Sequence, residues 1–254
     1  MHVIKLRLLE QRMPQSQADQ SQQKANLLNT RVGELVANDF RSAHLFSQYG
    51  IDFCCGGGIS LARAIKRFDA DEDTLLNALV ALAEQGDKQQ GLEQLPLPDL
   101  LNYIESTHHT FVREKAPLLL EYSQKMVRAH GDNHSEIKPL AGWIRALVDD
   151  LVPHLMKEEQ ILFPAILGLY NQVEMQTCFG HIGNPINAMQ YEHDDALQIF
   201  EKISELTNGF TPPAHACTTW RVCYASLAEF EADLKQHIHL ENNILFPKAL
   251  ALTA

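Results

Sequence analysis

The sequence predicts an all-α protein in which an antiparallel bundle of four long helices follows a small helical unit. Three observations lead to this fold class. Apolar residues recur every three or four positions over four long stretches, which is the period of an amphipathic helix. Polar connections with glycine and proline separate these stretches. A shorter, cysteine-containing stretch precedes them, and 254 residues are enough for one large and one small domain.

The N-terminal part of the chain divides into three segments. Residues 1–28 are rich in glutamine and serine and show no sustained period, so we expect a flexible extension. Residues 29–86 contain several short apolar stretches and should form a small helical domain, with Asp71 or Asp73 capping its last helix. The polar, proline-containing stretch 87–98 is the expected linker.

The remaining residues, 99–254, are predicted to form the bundle. Four long helices are expected at residues 98–129, 136–163, 186–207 and 216–246. Their similar lengths make an antiparallel bundle the simplest packing. Pro117 lies inside the first of them, where a proline would kink the helix and change the face that points inward.

Composition excludes several classes of partner. A formal net charge of −11 argues against a nucleic-acid backbone or an anionic membrane. No apolar run approaches the ~20 residues of a membrane span, and the first ten residues lack a secretory cleavage site, so we expect a cytoplasmic protein. Five cysteines without framework spacing fit a reducing compartment.

A duplicated motif is the most informative feature of the sequence. His154 and Glu158 precede an Ile-Leu-Phe-Pro stretch, and His237 and Glu241 precede a second copy of it. Residues four apart share one face of a helix, and the apolar period makes this the core face. A buried, unpaired carboxylate costs on the order of several kcal/mol, so a cation should lie beside it.

Two further helices supply candidate ligands. His193 lies on the apolar stripe of the third helix. In the first helix, His108 lies nearer the centre of the apolar face than His109, so the pattern alone favours His108. Four histidines and two shared carboxylates are the right number and type of ligands for a pair of non-haem irons with both glutamates bridging.

Other polar residues carry weaker predictions. Glu192 adjoins His193 and is a candidate for lining a channel or relaying protons. Glu159 follows Glu158 but points about a hundred degrees away from it, so it is expected in solvent or behind the ligands. The remaining histidines of the helical bundle are expected at the surface, namely His130, His134, His181, His215 and His239.

Cys54 and Cys55 stand before three glycines, in a predicted loop ahead of a helix. Two thiolates near a helix N-terminus would be activated by the helix dipole and could bind metal or enter thiol exchange. The alternative is a pair of buried, inert cysteines in a turn, because no second ligand pair is visible nearby.

Together these residues resemble the hemerythrin-like di-iron proteins of the Repair of Iron Centres family. The resemblance extends from about residue 30 to 250 and covers both predicted domains. The motifs that carry it are the two His-x3-Glu repeats, Glu192-His193-Asp194, the Ala-Cys-Thr-Thr-Trp stretch at 216–220, and the Asp-Phe-Cys-Cys-Gly-Gly loop at 52–57 with the following Leu-Ala-Arg-Ala.

The resemblance implies a hemerythrin-like bundle that holds two Fe ions in an oxo- and carboxylate-bridged di-iron centre. The first ligand of this family stands in a His-x3-Arg-x3-Pro run, which His109, Arg113 and Pro117 match, so the resemblance implies His109 rather than His108. It also implies a role in thiol chemistry or iron transfer for Cys54 and Cys55. The implied metal ligands are His109 and His237 on one iron, His154 and His193 on the other, and Glu158 and Glu241 between them.

Three functions are compatible with such a site. The resemblance implies a cytoplasmic homodimer that repairs iron-sulphur clusters after nitrosative or oxidative damage, with damaged or apo iron-sulphur proteins as partners and iron as the donated ion. The second is reduction of nitric oxide at the reduced metal pair. The third is a sensor or carrier of O2 or nitric oxide, against which the two cysteines argue, since a carrier needs no thiols.

Overall fold

A computed structural model describes residues 17–84, 92–173 and 179–253 of the chain. Apart from one isolated bridge between Arg31 and Ser60, the regular secondary structure in these ranges is helical, which confirms the all-α prediction. Among these residues, no helix combines the length and the apolar character that crossing a membrane requires.

Five short helices form the first unit: α1 (Gln17–Asn29), α2 (Val32–Asn38), α3 (Ser42–Gln48), α4 (Leu61–Phe68) and α5 (Glu72–Glu84). They enclose a small apolar core in which Phe46, Leu61 and Leu75 are fully buried. The Asp71 carboxylate accepts a hydrogen bond of 2.6 Å from the backbone N–H of Thr74. Asp71 is therefore the residue that caps α5.

Helix α1 differs from the flexible extension predicted over residues 1–28. Residues 17–28 of that stretch are helical, and Leu27 and Leu28 pack against the core of the first unit. A short, mostly polar helix is marginal alone, and its contacts with α4 and α5 stabilise it. The sequence period could not reveal this tertiary contribution. Residues 1–16 lie outside the described residues.

Four long helical stretches follow, and three of them contain one π-helical segment each. In chain order they are α6 (Leu97–Ile104), the π segment Glu105–His109 and α7 (Thr110–His130); α8 (Ile137–Lys157), the π segment Glu158–Leu162 and α9 (Phe163–Tyr170); α10 (Gly183–Thr207); and α11 (Thr218–Leu240), the π segment Glu241–Leu245 and α12 (Phe246–Ala251). Helices α8 and α11 each pack against both α7 and α10, which closes a four-helix bundle.

Several helix ends differ from their predicted positions. The second and fourth stretches continue past residues 163 and 246, because Pro164 and Pro247 occupy the first turn of a new segment, where a missing N–H costs no hydrogen bond. Helix α6 begins at Leu97, inside the predicted linker 87–98, of which residues 87–91 lie outside the described ranges. Residues 174–178, before α10, also lie outside them.

The first unit contacts the bundle through the cysteine loop between α3 and α4. Asn243, in the last π segment, donates a hydrogen bond of 2.9 Å to the carbonyl oxygen of Cys54. The neighbouring glycines permit this approach: a Cβ on Gly57 would lie 2.4 Å from the carbonyl oxygen of Phe53, and one on Gly33 would lie 2.3 Å from Asn243 Oδ1. The loop therefore rests directly on the helix that carries Glu241.

Candidate metal centre

Six histidine and glutamate side chains converge in the middle of the bundle. Each of them is no more than 2% exposed. They form two groups whose donor atoms lie within 4.8 Å of one another, and both groups contain both glutamates. The first group is His109, Glu158, His237 and Glu241, and the second is His154, Glu158, His193 and Glu241.

The two oxygens of each glutamate face different groups. Glu158 places Oε2 at 3.4 Å from His109 Nε2 and Oε1 at 3.2 Å from His154 Nε2. Glu241 places Oε1 at 3.2 Å from His237 Nε2 and Oε2 at 3.0 Å from His193 Nε2. A carboxylate that presents one oxygen to each of two sites has the arrangement of a bridging ligand.

The histidines of each group point nitrogen toward nitrogen. His109 Nε2 lies 3.2 Å from His237 Nε2, and His154 Nε2 lies 3.1 Å from His193 Nε2. These distances are the separation expected of two adjacent nitrogen ligands about 2.1 Å from one ion. In addition, all four oxygens of Glu158 and Glu241 are buried without a hydrogen-bond partner. Both features fit a pair of cations, and iron suits mixed imidazole and carboxylate ligands.

In three of these four histidines, the other ring nitrogen, Nδ1, makes a hydrogen bond that fixes the orientation of the ring. Nδ1 of His109 lies 2.7 Å from a carboxylate oxygen of Glu159, Nδ1 of His154 lies 2.9 Å from Glu192, and Nδ1 of His193 lies 3.1 Å from the amide oxygen of Asn242. Each of these acceptors requires the proton on Nδ1. The lone pair on Nε2 is then free for a metal.

Sequence reasoning missed the role of Asn242 and left that of Glu159 undecided. The duplicated motif could have revealed both residues. Glu159 directly follows Glu158, and Asn242 directly follows Glu241. In each copy, the residue after the shared glutamate orients a histidine on another helix of the bundle.

Each π segment of the bundle begins or ends at one of the six side chains. His109 closes the first segment, while Glu158 and Glu241 open the other two. A proline clashes with the carbonyl four residues before it, which lies inside the segment preceding Pro164 and inside that preceding Pro247. This clash gives a local reason for the wider turn, and such turns are frequent at functional sites.

Charge interactions in this centre oppose the effect of burial. Burial disfavours charge on His154, but the Glu158 carboxylate raises the pKa of His154 to about 9. Burial also disfavours charge on Glu158 and would raise its pKa, but the neighbouring His154 and His109 hold that pKa well below the ordinary value. At His237 burial prevails and lowers the pKa of the ring. The imidazoles around Glu158 therefore favour its ionised form, which is the form that binds a cation.

His108 lies next to the centre but belongs to neither group. Its Nδ1 is 2.9 Å from Asp233 Oδ1, and its ring stacks on that of His237 with 5.7 Å between the ring centroids. The π segment allows His108 and His109 to be buried side by side. The periodicity, which favoured His108, counts uninterrupted α-helical turns and therefore could not place these two residues.

His239 is the exception among the five histidines expected at the surface. It is 1% exposed, and its Nδ1 lies 3.4 Å from the carbonyl oxygen of Phe53 in the cysteine loop. The first unit covers this position of α11, and the sequence of the bundle alone could not show that. The remaining four are partly or fully exposed, namely His130, His134, His181 and His215.

The cysteine loop lies close to His193, one of the two histidines of the second group. The Asp52 carboxylate accepts backbone hydrogen bonds from Cys54, Cys55 and Gly56 at 3.0, 3.1 and 2.7 Å, which fixes the turn. The side-chain amide of Asn242, whose oxygen holds His193, lies 3.5 Å from the Cys55 sulphur. One asparagine therefore connects this thiol with the centre.

The prediction that a helix N-terminus activates the two thiols is wrong for Cys55. Helix α4 begins at Leu61, six residues further along the chain. The hydrogen bond with Cys54 and burial both raise the pKa of the Cys55 thiol above its ordinary value. The Cys55 thiol therefore keeps its proton at neutral pH. A cleft of about 350 Å³ opens beside it and is also lined by Asp194 and Lys235.

Comparison with known proteins gives two family matches and close relatives. Residues 99–249 match the Hemerythrin HHE cation binding domain, and residues 28–83 match a Domain of Unknown function (DUF542). The chain is 40% identical over 221 residues to the Iron-sulfur cluster repair protein YtfE of Salmonella schwarzengrund, which covers 87% of this chain and 96% of the relative. The protein of the same name in Pectobacterium atrosepticum is 41% identical over 219 residues, covering 86% and 96%.

Proposed function

Because this chain belongs to the hemerythrin-domain family of iron-sulphur cluster repair proteins, we propose that it repairs damaged iron-sulphur clusters by supplying iron from its buried centre. The observation that carries this proposal is the pair of ligand groups that share Glu158 and Glu241. The relatives, which the chain matches over 86–87% of its own length, are named for this repair.

The centre that we propose holds two irons in the arrangement implied by the resemblance. His109 and His237 bind one of them, His154 and His193 bind the other, and both glutamates bridge. The facing ring nitrogens and the divided carboxylate oxygens support this assignment. Imidazole and carboxylate ligands hold iron reversibly, because protons compete for both of them. The iron is then cargo that the protein can release.

Glu192 is proposed as the route by which a proton reaches the centre. Its carboxylate is a third exposed, pairs with Lys157 at the surface and lies 2.9 Å from His154 Nδ1. A carboxylate in this position connects solvent with a ligand histidine through one hydrogen bond. Because Glu192 accepts the Nδ1 proton of His154, a proton taken up by Glu192 from solvent would weaken this hydrogen bond, make the ring a poorer donor to iron and favour release.

Cys54 and Cys55 are proposed to receive iron on its way out. The amide of Asn242 places the Cys55 sulphur beside His193, and the cleft opens from that sulphur toward solvent. A metal that binds a thiol must displace its proton, so the raised pKa of Cys55 weakens its hold on iron and lets the ion pass on to a client.

Repair of a damaged client protein tests this function. An iron-sulphur dehydratase inactivated by nitric oxide should recover activity when mixed with protein loaded with iron-57, and the label should appear in its cluster. His154→Ala and Glu158→Ala should abolish recovery, whereas His181→Ala, which changes an exposed histidine, should not. Equal repair by all variants would contradict the proposal. Continuous conversion of nitric oxide without any transfer of label would indicate the reductase function instead.

Two further expectations belong to the same proposal. Nitric oxide or O2 is the small ligand that the reduced irons would meet, and a cytoplasmic setting would keep Cys54 and Cys55 reduced. The resemblance also implies a homodimer. Light scattering of the purified protein should then give twice the mass of one chain.

A further inference from the structure

Three histidines and one cysteine cluster at the end of the bundle remote from the centre. His130 ends α7, His134 lies in the following turn, and His215 and Cys217 immediately precede α11. Cys217 and His237 are separated by 20 residues, nearly all of them in α11, which corresponds to about 30 Å. The cluster is therefore separate from the buried iron ligands.

The four side chains form two close pairs of donor atoms. His130 Nε2 lies 3.3 Å from the sulphur of Cys217, and His134 Nε2 lies 3.3 Å from His215 Nε2. Neighbouring ligands on one tetrahedral zinc ion are about 3.4 Å apart for two nitrogens and about 3.6 Å apart for nitrogen and sulphur. Each pair thus already has nearly the spacing of two ligands on one ion.

One aromatic ring gathers the two pairs into a single patch. The buried ring of Trp220 contacts His130, His134 and His215, with ring centroids 5.3, 4.9 and 5.9 Å away. The pairs are not yet one coordination sphere, since no three of these donors lie within 4.8 Å of one another. Closing it takes rotation of side chains that are partly or fully exposed, and such side chains change rotamer readily.

We propose that these four residues form a second metal site for a borderline-soft divalent cation of the zinc class. Three imidazoles and one thiolate are ligands that Zn²⁺ and Co²⁺ accept, and they do not suit Mg²⁺ or Ca²⁺. Glu136 supports the site from outside, since its carboxylate lies 3.3 Å from His134 Nδ1 and directs Nε2 toward His215. A bound ion would tie the turn between α7 and α8 to the segment that precedes α11.

Cobalt binding to the iron-loaded, full-length protein tests this site, in a Trp143→Phe background so that Trp220 is the only tryptophan. Co²⁺ should bind one per chain without displacing iron, give a near-ultraviolet thiolate-to-cobalt absorption band, and quench Trp220 fluorescence. Zn²⁺ should reverse these changes. Cys217→Ser and His215→Ala should each weaken binding more than about tenfold, and Cys217→Ser should also remove the thiolate band.

The matched control is His181→Ala, which removes an exposed histidine outside the cluster and should bind Co²⁺ like the parent. The proposal is overturned if no stoichiometric Co²⁺ binds. It is also overturned if Cys217→Ser and His215→Ala bind Co²⁺ as the parent does, or if Co²⁺ binds only by displacing iron and without the thiolate band.

Discussion

Glu158 and Glu241 are buried charges whose energetic cost requires an explanation. Each is fully buried, and none of their four oxygens has a hydrogen-bond partner. Removing a carboxylate from water without compensation costs several kcal/mol by order of magnitude. Three of the four imidazole rings around them are oriented by hydrogen bonds from behind, and the Nε2 atoms of all four converge on the same space. The positions of these six side chains are therefore suited to binding cations.

Asn242 allows two roles to be separated by substitution. Its oxygen orients His193 and its amide nitrogen faces the Cys55 sulphur. Asn242→Ala should weaken iron retention by about 10- to 100-fold, because the His193 ring loses the group that fixes its tautomer. Asn242→Asp keeps the acceptor oxygen and should retain iron while losing the contact with Cys55. Competition with an iron chelator measures retention, and identical release from parent and Asn242→Ala would contradict this role.

His239 gives a prediction about pH. Burial lowers its pKa to about 4 from 6.5, so the unfolded chain takes up a proton at a higher pH than the folded chain does. The stability that neutral His239 contributes is complete above about pH 6.5 and is lost as the pH falls toward 4, by on the order of 3 kcal/mol.

Urea unfolding of the iron-free protein at several pH values in this window measures the effect. His239→Gln does not titrate there, so its free energy of unfolding should fall less steeply than that of the parent as the medium becomes acidic. His181→Ala serves as the control and should follow the parent. Parallel curves for the parent and His239→Gln would contradict the assignment.

The helices show which features a sequence period can reveal. Regular spacing of Leu140, Ile144, Leu147 and Leu151 led directly to α8, and the duplicated motif located both shared glutamates. The same spacing could not reveal π segments, because one wider turn leaves few marks in the sequence. For this reason the pattern favoured His108, which belongs to neither ligand group, and the family resemblance was needed to select His109.

Pro117 provides a prediction about a single element. It lies on the exposed side of α7, and the helix continues through it from Thr110 to His130. A proline inside a helix removes one backbone hydrogen bond and crowds the preceding turn. Pro117→Ala should therefore raise the free energy of unfolding by about 1–3 kcal/mol without lowering iron content. Chemical denaturation checks this, and a loss of stability would show that α7 depends on the proline.

The relation between the two units could not be predicted from sequence. The period of α11 assigns His239 no partner, and the flanking glycines of the cysteine loop indicate only a turn. In the folded chain, Gly33 and Gly57 admit the side chain of Asn243, which binds the cysteine loop next to the centre. At the scale of the whole molecule, this contact brings the two thiols next to the buried histidine and glutamate cluster.

A methyl group added at Gly57, where the cysteine loop meets the bundle, should lower the stability of the protein and slow the transfer of iron to a client. The Cβ of Gly57→Ala would lie 2.4 Å from the Phe53 carbonyl oxygen, so the loop must move, with a loss of about 1–3 kcal/mol of stability and slower release of iron to a client. Gly142→Ala is the matched control: its Cβ meets nothing within 4 Å in α8, and it should stabilise the protein by about 0.5–1 kcal/mol. Equal effects of the two substitutions would contradict the close approach.

The central claim is that two irons share Glu158 and Glu241, and Mössbauer spectroscopy of protein loaded with iron-57 tests it most directly. We expect two irons per chain and a spin-coupled pair, seen as quadrupole doublets without magnetic splitting at low temperature. Glu158→Gln should lower the iron content and change the doublets of the coupled pair, because a neutral amide with one oxygen cannot bridge two cations and Glu241 is then the one bridging carboxylate left, while Glu114→Gln at the surface should keep the parent spectrum. A single, magnetically split iron per chain, or a coupled signal unchanged in Glu158→Gln, would contradict the claim.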